Sequence, residues 1–225
     1  MKGFICNVII FLVLYTGKSH AKGIDINELL VPDFVKAQIV TDNMNMNGTD
    51  MIIIQFYTLE SFEKIEDFYR KSIKEIKISE IGEWKIISWM EDKKLNTVQV
   101  AYNKLEKAHH GFIAISNLPE AISQKIVLGK NFPSLKNSVF QNDIKATDLN
   151  KKSRTIWLKN ESSVKDNINF YKNYYVKKGW EVEKVSFDET NSNAAIMLGK
   201  RGDEVNLTVS RKNGQSDIVA VVVSK

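Results

Sequence analysis

Chemistry in this chain would have to start from two adjacent histidines. His109 and His110 follow Lys107, and only His20 joins them in the whole sequence. Neighbouring imidazoles on a turn can begin a metal site, but zinc wants three or four convergent ligands, and the only cysteine is Cys6. No spaced third histidine completes a set, so the pair reads as a solvated hairpin turn. A Ser-His-Asp arrangement would depend on the same two residues, and no Gly-x-Ser-x-Gly stretch offers a nucleophile. Leu128-Gly129-Lys130 and Leu198-Gly199-Lys200-Arg201-Gly202 look like phosphate loops at first sight, yet neither has the Gly-x4-Gly-Lys-Ser/Thr frame, and both read as turns. Carboxylate pairs such as Glu66-Asp67 fall on the solvent side of a helix pattern, where a raised pKa for acid catalysis is not expected. The sequence therefore predicts no enzyme activity and no cofactor.

The elements around these residues say more. "FYRKSIKEIKISEIGEW" (68–84) is echoed a hundred residues later by "FYKNYYVKKGW" (170–180). A shift of 102 places Ile54 on Ile156, Phe56 on Leu158, Ser61 on Ser163, Phe68 on Phe170 and Tyr69 on Tyr171; Pro32 meets Pro133 at 101, and Trp84 meets Trp180 at 96. Matches in one order with one length change suggest an internal duplication. In the second copy Val164, Ile168, Tyr171 and Tyr175 recur at helical spacing. Ser163 with Asp166 opens that helix as a capping box, and Lys177-Lys178-Gly179-Trp180 closes it. Strand patterns flank it, with Val205-Asn206-Leu207-Thr208-Val209 alternating strictly.

The expected fold class is α+β: two tandem repeats, each an antiparallel sheet packed against one helix in strand-helix-three-strand order. The expected divisions are a signal peptide at 1–21, a first repeat at 32–116, a helical connector at 117–132 and a second repeat at 133–225. The N-terminus supports the first of these: Lys2, an apolar run from Phe4 to Tyr15, and Ser19-His20-Ala21 as a small-x-small site, with cleavage after Ala21. That run is shorter than the roughly 20 residues a membrane span needs. A periplasmic chain without cysteine follows, stabilised by its core alone. The whole chain carries a net charge of +5; loss of Lys2 and Lys18 leaves +3. Lysines interleaved with acids, as in Lys64-Ile65-Glu66-Asp67, form no concentrated basic face, so nucleic acid is not an expected partner and membrane contact is weak at most.

The Phe-Tyr and Gly-Trp phrase, repeated after a signal peptide, resembles the tandem helix-grip domains of the barrel-assembly lipoproteins of the bacterial outer membrane. The resemblance implies helix-grip-like topology over residues 32–224 and assigns no functional residue. Three functions are compatible: a non-catalytic periplasmic scaffold or adaptor of an envelope assembly or secretion system; an immunity or inhibitor protein against a toxin delivered to the periplasm; and binding of a small ligand or lipid. The partner expected is another envelope protein or a second copy of the chain. A one-helix unit covers one face of its sheet, so aromatic residues on the other face must meet something else: the two repeats or two chains bury these faces against each other, or the aromatics mark a binding surface. Strand alternation nominates Trp89, Trp157, Ile87 and Tyr57 as the partner-binding residues.

Overall fold

Ten-residue stretches of alternating burial, as in β2 and β11 below, make most of this chain strand. The computed structural model describes residues 24–117, 126–148 and 151–225. The predicted signal peptide and half of the predicted connector, residues 118–125, lie outside the described residues. After a single 3-10 turn at Ile26–Glu28 come β1 (Lys36–Met46), β2 (Thr49–Thr58), α1 (Phe62–Ser72), β3 (Lys77–Ile81), β4 (Trp84–Glu91), β5 (Lys94–Asn103) and β6 (Ala108–Asn117). The second half repeats this order: β7 (Val139–Asp148), β8 (Lys151–Asn160), α2 (Val164–Val176), β9 (Glu181–Phe187), β10 (Asn193–Lys200), β11 (Asp203–Lys212) and β12 (Gln215–Ser224).

The twelve strands form one sheet in the order β3-β4-β5-β6-β2-β1-β7-β8-β12-β11-β10-β9, and every pairing is antiparallel. This overturns the α+β expectation. The fold is largely β, with two helices among the described residues, and the halves share a single sheet. Each half contributes two strands before its helix and four after it, not one and three. Trp84 and Trp180 are not equivalent either, since Trp84 opens β4 whereas Trp180 precedes β9.

The halves join edge to edge where Met44, Asn45 and Met46 of β1 face Ala146, Lys145 and Ile144 of β7. Asn47 reinforces the seam: its amide N–H donates to the Asp143 carbonyl (2.9 Å), its side chain donates to Asn142 Oδ1 (2.6 Å), and its own Oδ1 accepts from the Asp143 N–H (2.8 Å). Asn47 does this at φ 53, a conformation asparagine tolerates better than most residues.

Both helices lie on the same side. Ile54 and Phe56 of β2 belong to the first core with Phe62, Ile65 and Tyr69 of α1; Ile156 and Leu158 of β8 belong to the second with Ile168, Tyr171 and Tyr175 of α2. Register carries one face across the seam, from Ile52 and Asp50 to Asn45, Lys145, Arg154 and Ile156. The first core is closed by the segment carrying Ile24 and Leu29, whose Leu30 carbonyl accepts the Tyr69 hydroxyl at 2.7 Å. Burial pushes that phenol well above its ordinary value. Gly111 lets β6 pass under α1's core, because a Cβ there would lie 2.1 Å from the Gln99 carbonyl oxygen and 2.5 Å from the Phe56 ring.

Local signals explain α2 well. Ser163 accepts the Asp166 N–H at 3.0 Å and donates its hydroxyl to Asp166 Oδ2 at 2.6 Å, so the carboxylate meets the cap's side chain where the sequence predicts the cap's backbone N–H. At the other end Gly179 takes φ 76, its N–H reaches the Val176 carbonyl, the Trp180 N–H reaches Tyr175, and the two rings sit 5.4 Å apart. Arg154 supports the loop over the second core. It holds Asp143 through Nε (2.9 Å) and Nη2 (2.7 Å), donates to the Lys130 carbonyl, and Asp143 accepts the Gly129 N–H at 3.0 Å. Burial raises the Asp143 pKa, but the Arg154 guanidinium and the Gly129 N–H outweigh it and hold the carboxyl below its ordinary value.

Candidate functional site: the uncovered face of the sheet

With both helices and the 24–35 and 126–138 segments tied to one face, no described element covers the other. Its residues follow from register. The first half contributes Trp84, Ile86, Ser88 and Met90 of β4, Leu95, Thr97, Gln99 and Ala101 of β5, His110, Phe112 and Ala114 of β6, and Met51, Ile53, Gln55 and Tyr57 of β2. The second contributes Ile144 of β7, Thr155 and Trp157 of β8, Val219, Val221 and Val223 of β12, and Met197 of β10. Most are half-buried by their neighbours, while Met90 and Met197 are 53% and 41% exposed.

The four residues nominated by alternation divide between the faces. Trp89 and Ile87 are 6% and 0% exposed and lie in the first core, with the Trp89 ring 5.3 Å from Tyr69. They are core residues under α1 and offer no partner surface. Alternation separated the two sides of β4 correctly but could not say which side the helix takes. Trp157 and Tyr57 do occupy the uncovered face, on different halves. Trp84 and Phe112, with ring centroids 6.0 Å apart, belong to it as well and were not nominated. Pairing Trp84 through β5 to β6 would have found them.

Two polar clusters stand on this face. The Trp157 indole donates to Asp217 Oδ1 at 2.9 Å, Lys159 Nζ lies 3.4 Å from the same oxygen, and the ammonium sits 5.3 Å from the indole centroid. In the matching place of the first half, Tyr57 contacts the His110 ring at 5.1 Å and His110 Nε2 is 2.7 Å from Glu106 Oε2. Between them lie Met51, Ile53, Gln55, Ile144 and Thr155, and the register also puts the exposed Lys36, Lys77, Lys184 and Glu204 on this face.

The histidines do not form a site together. They stand in β6 itself, where successive side chains point to opposite faces, and the turn lies before them at 104–107. His109, on the helix side, brings Nδ1 within 2.8 Å of the Glu60 carbonyl and lines a cleft of about 240 Å³ with Phe62, Glu63, Lys85 and Tyr102. That is smaller than the roughly 300–1,000 Å³ usual for ligand pockets. Glu63 is held below its ordinary pKa by its backbone N–H and the Ser61 hydroxyl. Among the described residues no three His, Cys, Asp or Glu gather as a metal cluster. The Leu198–Gly202 stretch is the β10–β11 hairpin, with Arg201 at φ 51 and Gly202 at φ 87.

Comparison of the chain with protein-family models, with curated proteins and with solved structures finds no match in any of the three.

Proposed function

We propose that this chain is a non-catalytic binding protein of the bacterial periplasm, an adaptor that presents the uncovered face of its sheet to another envelope protein. The observation that carries the reading is the placement of both helices on one side. Side-by-side halves cannot bury their second faces against each other, so Trp84, Phe112, Tyr57 and Trp157 need an outside partner to leave water. Area supports this. Twelve strands of 5 to 11 residues, about nine on average, at about 4.8 Å spacing and ~3.3 Å rise make a face of roughly 1,700 Å². A standard interface takes about 800 Å² from each partner. The middle strands present Met51, Ile53, Ile144 and Thr155, with Lys36, Lys77, Lys184 and Glu204 on edge strands or at strand ends, which fits a partner surface with an apolar centre and a polar rim.

Photo-crosslinking in the periplasm tests the reading. A photoreactive residue at Thr97 or Thr155, on the uncovered face, should give an adduct with one envelope protein identifiable by mass spectrometry. The same residue at Lys71 or Lys172, on the exposed side of the helices, should not, and Trp157→Arg should abolish the adduct. Adducts only with a second copy of this chain, adducts equal at all four positions, or none would overturn the adaptor reading.

A further inference from the structure

All methionines after Met1, namely Met44, Met46, Met51, Met90 and Met197, lie on strands, and the register sends every one of them to the uncovered face. Neither core cluster contains a methionine. This is unusual placement, because methionine ordinarily fills irregular core gaps and sheet surfaces favour β-branched and aromatic residues.

Three of the five gather at the centre of the sheet. Met44 of β1 stands directly opposite Met51 of β2, and Met46 stands opposite Thr49, which makes it the diagonal neighbour of Met51. Directly opposed residues are about 5 Å apart and diagonal ones about 7–8 Å. Each methionine has three rotatable bonds, so three thioether sulfurs spaced in this way can reach a common point. Across the seam Met44 faces Ala146 and Met46 faces Ile144, which bring no donor and little bulk. Asn45, Asp50 and Lys145 belong to the helix side, where the Asn45 amide donates to Asp50 at 2.6 Å, while the hydroxyl residues Thr49 and Ser116, opposite Met46 and Met51, share the methionine face. Met44 is 7% exposed, and Met46 and Met51 are half-buried.

We propose that Met44, Met46 and Met51 form a binding site for a soft monovalent cation, Cu(I) or its d10 counterpart Ag(I). The donor set selects the ion. Thioether sulfur suits Cu(I), whereas calcium and magnesium require oxygen ligands and zinc favours thiolate, imidazole or carboxylate. With no charged side chain at this point among those described, a divalent ion would be left uncompensated, while a monovalent soft ion demands least. The site is independent of any protein partner.

Silver nitrate titrated in chloride-free buffer into the full chain carrying Cys6→Ser, with methyl-labelled methionine, provides the test. The methyl resonances of Met44, Met46 and Met51 are expected to move together and saturate at one ion per chain, while Met90 and Met197 stay in place. Met46→Leu and Met51→Leu, near-isosteric changes at half-buried positions, should keep the circular dichroism of the parent and lose the one-to-one saturation. His109→Gln/His110→Gln should keep it. No movement at the central methionines, parallel movement of all five, or saturation that survives Met51→Leu would overturn the proposal; should one leucine variant fail to fold, the resonance pattern of the parent and the other variant still decide.

Discussion

Asp143 is the residue on which the second half's loop depends, and its chemistry gives that dependence a pH signature. Its carboxylate is 7% exposed and shared between Arg154 and the Gly129 N–H. Breaking such a pair by removing one partner leaves the other charge uncompensated, so Asp143→Asn should cost about 3 kcal/mol at neutral pH. The folded chain holds Asp143 below the ordinary value of 3.8, so protonation is harder in the folded than in the unfolded state. The stabilisation is therefore fully present above 3.8 and is lost as the pH falls through the lower, folded value. Urea midpoints of parent and Asp143→Asn should differ by a constant amount from pH 7 to about pH 5 and converge in stronger acid. A gap that stays constant into strong acid would show that the charge is not its source.

Among the elements, the β1–β7 seam is the narrowest joint, with three paired residues on each strand and the Asn47 contacts at its end. Asn47→Gly keeps the positive φ available while removing the side-chain bonds to Asn142 and Asp143. Hydrogen exchange should then quicken at the amides of Asn47 and Asp143, while Ile54 and Ile156, deep in the two cores, keep their protection. Equal loss at all four would mean that the halves cannot loosen separately. This joint is also where the sequence was least legible. α2 could be read residue by residue because its cap, apolar stripe and Gly-Trp stop are local. β1 reads "KAQIVTDNMNM", and two register shifts break its alternation against β2, so no period announces it as a strand. β7 carries a similar irregularity against β8. Without these two strands the halves look like separate sheets, each under its own helix, and the sequence reads as α+β. Trp157 and Tyr57 could be assigned to a face because they neighbour core positions on strands next to a helix. Trp89 could not, because nothing in β4 itself says which side α1 covers.

At the scale of the whole molecule, two hydrophobic cores sit side by side on one continuous sheet, each with its own helix. Because β1 and β7 are consumed at the centre, the sheet ends laterally in β3 and β9. These are mostly exposed, and they carry Lys77 and Glu80 on one and Glu181, Glu183 and Lys184 on the other, with a register shift in β9 as well. Charged residues and irregular edges hinder strand addition. The arrangement has a consequence for polymer growth. The two ends are different strands on one body, so a β3 that accepted the β9 of a neighbouring molecule would leave a free β9 and β3 at the tips of the pair, ready for the next addition. Such a contact joins two different surfaces, and unless its rotation closes a ring its product is a ribbon of unlimited length. Glu80→Val combined with Glu183→Val and Lys184→Val should convert the dispersed protein into fibres visible by electron microscopy, with Glu80→Val alone adding much less. If the triple variant stays dispersed, the charges are not what stops the ribbon. On this account, a handful of charged side chains on two short strands decides whether the protein is a molecule or a material.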